Sequence, residues 1–556
     1  MSRLYLQRSI LAKRAWFILF LGITAFYLWG LGSLPLVGPD EPRYAQVARE
    51  MLARRDFISP TLGGLPWFEK PPLLYWMMIL AYRVLGVNEF AARIGPALCG
   101  LAAAAFIYWI GRTISDSSQD RNVDVAPSIG RWSALAWLSS LGAIGFSRAA
   151  TFDIVLTMTI SGALACFFVS QARGGRGGSG SVNWLFGGFY LFAGLSLLAK
   201  GLIGFVLIFG VVGSYFILRR EWPRRAFLLS LIWGVPASVL LAGIWYGPMI
   251  ARHGWTFIDQ FIIQHHFARF VSNKFHHPEP FYFYLPVLII LALPWTVLLG
   301  AGVVSSRRWN WRGDSSLDRG RVFALAWLLV PLVFFSFSGS KLAGYILPAL
   351  PGVALLVGER IACFISSRRG EKVLRLTGTL LIFMVAATVW YAHRHTDLKL
   401  LTTVLVALPL IATGMLAVVR PQLRRHLFVG IVVAVVLTAA LGLRIGGPVA
   451  ARTSSVRDLL LLAAARGYSN LRVVQLHDIE RSAEFYAAGR VEYGSDGEPI
   501  KFEGVGQVIE AARQNGGAVL CLIPLEYSAQ LTSYKAVSTE LISDNGRLAL
   551  IVVRAK

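Results

Sequence analysis

Residues 15–44 read AWFILFLGITAFYLWGLGSLPLVGPDEPRY. Residues 15–35 are apolar almost throughout and long enough to cross a bilayer, for which about 20 residues suffice. The stretch then breaks at Gly38-Pro39 and presents two adjacent carboxylates, Asp40 and Glu41, at the boundary between lipid and water. Acids at that position are costly unless paired or wetted, so the outer ends of the helices are where chemistry is expected.

Working outward, windows of about 17–25 apolar residues recur as far as residue 443. There are thirteen, from 15–35 to 426–443. The 556 residues are 55% hydrophobic and only 15% charged, and mean hydropathy is +0.58. Those values exclude an ordinary soluble chain, a disordered chain, a disulfide scaffold and a secreted enzyme. No cleavable signal peptide is expected. The fold class predicted is an α-helical polytopic membrane protein with about 13 transmembrane helices. Pro71–Leu85 is equally apolar, but a run of about 15 residues favours an interfacial or re-entrant helix.

The formal charge of +24 belongs entirely to the membrane part, because residues 451–556 hold 12 Lys+Arg against 12 Asp+Glu. With the N-terminus cytoplasmic, double-arginine turns such as Arg219-Arg220, Arg307-Arg308 and Arg424-Arg425 fall inside, as the positive-inside bias requires. An odd number of spans then puts the C-terminal region outside. The cations are interrupted by spans and form no continuous basic face, which argues against nucleic acid. Cys99, Cys166, Cys363 and Cys521 fall singly and suggest neither disulfides nor a metal centre.

Two outer loops are long, residues 36–87 and 248–280. In the first, Tyr44, Val47, Ala48, Met51 and Leu52 recur with helical spacing, which predicts an amphipathic helix on the membrane surface. From about 451 the pattern changes. Helical Val456–Arg466 and Val508–Gln514 alternate with strand-like Leu471–Leu476, Val519–Ile523 and Leu548–Val553, and Asp544-Asn545-Gly546 marks a hairpin. Residues 1–450 are therefore read as a membrane domain and 451–556 as a small extracytoplasmic α/β domain, a docking or gating lid.

Capping accounts for Glu41 if Pro42 is the first helical residue, but it places Asp40 one residue early. Asp153 starts a span on the same face. Capping by Thr151 or by Asp153 itself, or a pair with Arg148, is the structural alternative to function. Lys70, Lys200, Arg269, Lys341 and Tyr345 collect on that side as well. Each alone is an interfacial residue, whereas together they suit an anionic headgroup held without a metal. His265 and His266 could join Glu69 around a structural zinc, or be wetted loop histidines.

Several motifs carry a resemblance. Asp40-Glu41-Pro42-Arg43-Tyr44, Phe68-Glu69-Lys70-Pro71-Pro72, Arg148 to Asp153, Leu198-Ala199-Lys200-Gly201 and Ser340-Lys341 through Tyr345-Ile346-Leu347-Pro348 resemble the GT-C glycosyltransferases of the protein-mannosyltransferase-like clan. Within it they look most like the bacterial undecaprenyl phosphate-α-4-amino-4-deoxy-L-arabinose arabinosyltransferases that modify lipid A. The resemblance covers about residues 15–445. It implies a multi-pass enzyme of the bacterial inner membrane, with its C-terminal domain in the periplasm. The implied reaction moves a sugar from undecaprenyl phosphate to lipid A with no nucleotide and no cofactor required for catalysis. By motif, Asp40 is the principal catalytic carboxylate, with Glu41 beside it and Asp153 as the second acid. Lys70 and Tyr345, Arg269 by region only, and Lys200 and Lys341 would hold the donor phosphate. Where the family's common Ser-Lys-Leu-Pro pattern stands, this chain reads Ser340-Lys341-Leu342-Ala343. Two other readings stay open: a hexose transferase acting on a hydroxyl of protein or glycan, and a lipid-linked anion transporter or flippase.

Overall fold

The first apolar stretch lies in helix α1 (Ser2–Leu28), and the chain turns away at Gly30, whose φ of 67° suits glycine. The structure, a computed structural model, describes residues 2–116, 129–173, 180–268, 279–367, 370–395, 398–495 and 497–555. Among the described residues nine helices are long and apolar enough to cross a membrane, ten if one bent pair counts as a span. Those that shape the site are α4 (Glu89–Asp116), α7 (Phe152–Arg173), α8 (Gly180–Lys200), α9 (Leu202–Arg219) and α10 (Arg225–Phe257).

Between α1 and α4 lie two shorter helices, α2 (Asp40–Arg54) and α3 (Leu73–Leu85). At 13 residues α3 is about 20 Å long at the usual helical rise, too short to span. The apolar stripe of α2 is not spread on lipid as its periodicity suggested. Tyr44, Val47, Ala48 and Met51 are buried, covered on one side by α3, where the Tyr82 hydroxyl donates to the Ala45 carbonyl (3.3 Å). On another side α2 meets a helix of the C-terminal region. Helical periodicity shows that a face is covered, not what covers it.

Strands β1 (Thr61–Leu62) and β2 (Leu65–Pro66) form a hairpin. Its turn, Gly63-Gly64, has φ of 62° and 80°, which only glycine adopts freely. The Glu50 carboxylate on α2 accepts from the Gly63 and Gly64 amides (2.8 and 3.1 Å) and from the Thr61 hydroxyl (2.7 Å). The hairpin is thus fastened to α2 and delivers Trp67 to Lys70 beside it.

Two expected spans are broken. Residues 131–147 divide into α5 (Ile129–Leu138) and α6 (Leu141–Ser147), with the Ser140 hydroxyl capping the Ala143 amide. Residues 281–303 divide at Pro294 into Tyr284–Leu291 and a second helix from Thr296, bent by 116°. The two breaks face each other. The Leu141 amide donates to the Leu293 carbonyl (2.9 Å), and Trp295 Nε1 donates to Ser139 Oγ (3.0 Å), so backbone groups freed by the interruptions find partners.

Beyond the last long helix, Arg424–Thr453, come a helix Arg457–Ala465 and a five-stranded mixed sheet. Its strands are β3 (Val473–Leu476), β4 (Lys501–Phe502), β5 (Ala518–Pro524), β6 (Val537–Asp544) and β7 (Leu548–Ala555), in the order β4-β3-β5-β7-β6. β3 runs parallel to β4 and β5, and β7 runs antiparallel to β5 and β6. Helix Ser482–Tyr486 is the part of this region that packs on α2.

Candidate functional site

Glu41 organises one end of the helical bundle. Its side chain is 7% exposed. Arg93 of α4 grips both oxygens (Nε to Oε1 2.9 Å, the second nitrogen to Oε2 2.8 Å). The amides of Val37 and Ala150 donate to the same carboxylate (3.1 and 2.7 Å). Arg93 spends its remaining donors on the carbonyls of Leu31, Leu34 and Pro35. One bidentate ion pair therefore ties the loop after α1, the start of α2, α4 and the turn before α7. Both oxygens of Glu41, named with Asp40 as catalytic, are already engaged by protein. Capping does not describe it either: α2 begins at Asp40, with Pro39 before it and no side-chain cap.

Asp40 stands differently, with its side chain 46% exposed. Arg43, one turn on, donates to Asp40 Oδ1 (3.1 Å) and through Nε to the Pro39 carbonyl (2.7 Å). The guanidinium lies 5.4 Å from the centre of the Trp67 ring. Burial favours loss of the Arg43 proton, but Glu69 and Asp40 outweigh it and hold the pKa above its usual value. Tyr44 and Tyr75 are pushed well above the ordinary phenol range, first by burial and then by Glu69 and Asp40. Glu69 thus acts electrostatically on Arg43 and on both tyrosines, and Lys70 follows it in sequence just before α3.

The second acid is paired as well. Lys200, the last residue of α8, donates to Asp153 Oδ1. Its ammonium also lies over the Tyr345 ring, 4.4 Å from the centroid. Gly344 presses on the same carboxylate, since a Cβ there would lie 2.6 Å from Asp153 Oδ2. Arg148, weighed as a partner for Asp153, instead caps α1 by donating to the carbonyls of Phe26 and Trp29 (2.7 and 2.8 Å). Lys341 is 7% exposed and donates to the carbonyls of Ser338 and Glu279 (2.7 and 3.0 Å). These bonds engage two of its three N–H donors at the turn before Tyr345.

An aromatic hub joins the two acids. Phe152 meets Tyr44 and Tyr75 edge to face, with centroids 4.9 and 5.3 Å apart. Asp40 lies one helical turn before Tyr44, Asp153 directly follows Phe152, and Glu69-Lys70 leads into α3, which carries Tyr75. The structure thus brings Asp40, Lys70, Asp153, Lys200 and Tyr345 to one end of the helical bundle. Arg269 lies outside the described residues, as do the side chains of His265 and His266. Among the described residues no group of three or more His, Cys, Asp and Glu is placed to hold a metal.

Arg43, Trp67, Tyr44, Tyr75 and Phe152 were not singled out as site residues. Arg43 was findable, because an arginine three residues after an acid on a helix faces it. Arg93 carried no signal, since its partner lies 52 residues away.

The dolichyl-phosphate-mannose-protein mannosyltransferase family matches residues 15–310. An Edwardsiella ictaluri protein named undecaprenyl phosphate-α-4-amino-4-deoxy-L-arabinose arabinosyl transferase is 31% identical over 368 residues, covering 66% of this chain and 62% of that one. A Pseudomonas aeruginosa protein of the same name is 32% identical over 352 residues, covering 63% and 60%. The matches thus take in about three fifths of those relatives' length. The crystal structure of ArnT from Cupriavidus metallidurans bound to undecaprenyl phosphate superposes with a TM-score of 0.74 at 21% identity, covering 97% of this chain and 98% of that one. The fold is therefore the one the GT-C resemblance implied. With more than half its length matched by one family, the chain belongs to the dolichyl-phosphate-mannose-protein mannosyltransferase family.

Proposed function

We propose that the protein is an integral-membrane glycosyltransferase that moves 4-amino-4-deoxy-L-arabinose from undecaprenyl phosphate to a phosphate of lipid A. The observation that carries this reading is the pairing of two acids, Asp40 and Asp153, each with its own cation, around one aromatic hub at the outer ends of the helices. The relatives named above support the donor.

The reaction is an inverting displacement. An acceptor oxygen attacks the anomeric carbon while undecaprenyl phosphate departs. Lys70, Arg269, Lys200 and Tyr345 stabilise the charge that develops on the leaving phosphate. A lipid A phosphate is already anionic, its second pKa being about 6, so no base is needed to activate it. Asp40, the more exposed acid, binds the sugar's ammonium and stabilises positive charge on the sugar ring, with Asp153 as the second acid. Glu41 acts by holding the elements that carry them.

Thirteen crossings are proposed, adding α1, α5 with α6, α8 and the bent pair to the nine helices above. The N-terminus is cytoplasmic, residues 1–450 form the domain of the bacterial inner membrane, and residues 451–556 form a periplasmic domain. A structural zinc at Glu69, His265 and His266 is a separate proposal that rests on residue type, and metal analysis of purified protein tests it.

The family's name favours a second reading, transfer of mannose to a hydroxyl. Incubation of the purified protein with polyprenyl-linked sugars and lipid A separates the two by mass. An aminopentose added to lipid A is the expected outcome, a hexose product would favour the second reading, and no product with any donor would overturn both.

A further inference from the structure

The sheet of the C-terminal region carries a cleft of its own. From β3 the chain passes through helix Ser482–Tyr486 to β4 on one side, then through helix Val505–Gln514 to β5 on the other side of β3. The two helices cover opposite faces: Ala483 packs with Val473 and Leu520, whereas Val508 and Ala512 pack with Val474 and Cys521. β3 and β5 run parallel, so the strand order reverses between them, and open sheets of this kind leave a crevice outside the carboxyl ends at that point. The cleft lies there. It has a volume of about 720 Å³ and is lined by His477 and Asp478 just after β3, by Glu526 and Tyr527 just after β5, and by Gly546 and Arg547 just before β7.

Its lining selects a chemistry. His477 takes a left-handed φ of 68°, uncommon for a residue with a side chain, and its ring stands 5.1 Å from that of Tyr527 at an angle of 64°. Asp478 is half exposed and lies 4.0 Å from Arg547, whose guanidinium is also held by Glu480. Glu526 is exposed on the rim. Three carboxylates thus stand against one guanidinium that is already paired, which disfavours phosphate or any other anion. Two ring faces suit the apolar face of a sugar ring, and acceptors on the acids beside donors on Tyr527 and Arg547 suit hydroxyls, which both donate and accept.

The cleft also adjoins the membrane part. Gly546 comes against Thr453, the last residue of the long helix Arg424–Thr453: a Cβ there would lie 3.8 Å from Thr453 Cγ2. Asn545 beside it donates to the Ser455 carbonyl (3.1 Å). Past Glu480 the same segment becomes the helix on α2, where Arg49 donates to the Phe485 carbonyl (2.7 Å).

We propose that this cleft is a saccharide-binding site, which takes a sugar ring without negative charge from the acceptor glycolipid while the tails of that lipid stay in the bilayer. The ligand class rests on the lining alone. Its assignment to the acceptor rests on the transferase reading above.

The test uses the full chain in detergent. The probe is the saccharide of lipid A freed of its acyl chains, with and without its phosphates, and binding is read by ligand-observed NMR. The dephosphorylated saccharide is expected to bind at least as well as the phosphorylated one. Tyr527→Ala, and separately Asp478→Asn with Glu526→Gln, alter exposed side chains and are expected to weaken binding about tenfold with the thermal midpoint maintained. In the transfer assay the same variants are expected to raise KM for lipid A about fivefold and to leave kcat and the donor KM within about twofold. No binding by the parent, equal binding by the variants, or binding only when the phosphates are present would overturn the proposal. Variants that lose the saccharide but keep the parent's KM for lipid A would overturn the assignment to the acceptor. A parent that binds the saccharide through these residues yet transfers no sugar sinks the transferase reading and leaves the cleft standing, whereas transfer without saccharide binding sinks this inference alone.

Discussion

Asp153 and Lys200 form an ion pair between the first turn of α7 and the last residue of α8, with their side chains 16% and 15% exposed. Tyr345 covers the ammonium from a third segment. Removing one member leaves a nearly buried charge without its partner, which costs about 3–5 kcal/mol, whereas removing both together costs far less. Lys200→Met is therefore expected to lower thermal stability strongly, and Lys200→Met with Asp153→Leu to recover much of it without recovering transfer. Melting curves in detergent, read beside the transfer assay, decide this. A double variant as unstable as the single would refute the pairing.

Asp40 and Glu41 are adjacent but should fail in different ways. Asp40→Asn is expected to fold normally and to lose about 10²–10³ in kcat, the usual effect of deleting a charge that stabilises a transition state. Glu41→Ala strands Arg93 in a buried setting and is expected to lose about 3–5 kcal/mol of stability. Comparable activity loss with comparable stability loss in both variants would show that the two acids are not divided in this way.

Gly344→Ala tests the crowding around the second acid. The added methyl would meet Asp153 Oδ2 and the Phe146 ring, at 2.6 and 2.9 Å from the new carbon, so Asp153 must move. A fall in kcat larger than the fall in thermal midpoint is expected. Full activity would mean that the Asp153 position is not critical.

Arg93→Lys separates charge from geometry. Lysine keeps the positive charge but cannot engage both Glu41 oxygens and three carbonyls at once. The expected result is a marked loss of stability, measured as a lowered midpoint and faster proteolysis of the segment between α1 and α2. Wild-type behaviour would show that charge alone holds the junction.

Local properties were legible in the sequence. The apolar window 400–419 is the helix Leu400–Val419, and 88–113 is α4 within three residues, because span-length hydrophobicity belongs to one continuous segment. The strand-like runs 519–523 and 548–553 lie inside β5 and β7, whereas β6 was missed because its Ser-Thr-Glu-rich edge lacks the apolar signal. Asp40, Asp153 and Lys200 stand out in the sequence by their positions at span ends. What the other charged side chains bond was not legible, because Arg148 donates to carbonyls at the end of α1, Arg93 comes from α4 to Glu41, and Lys341 donates to the carbonyls of Ser338 and Glu279. Those choices depend on how helices stand side by side, which one strand of letters does not record. The coverage of α2 by the C-terminal region was hidden for the same reason.

The turn between α8 and α9 is a single residue, Gly201, at φ 71°, and the cation of the site is the last residue before it. A helix rotates about 100° per residue, so one residue gained or lost within α8 would swing Lys200 away from Asp153 and shift its depth by about 1.5 Å. The chain has no slack at that corner to absorb the error. Across relatives, insertions and deletions should accordingly be absent from the end of α8 that carries Lys200 and from the start of α9.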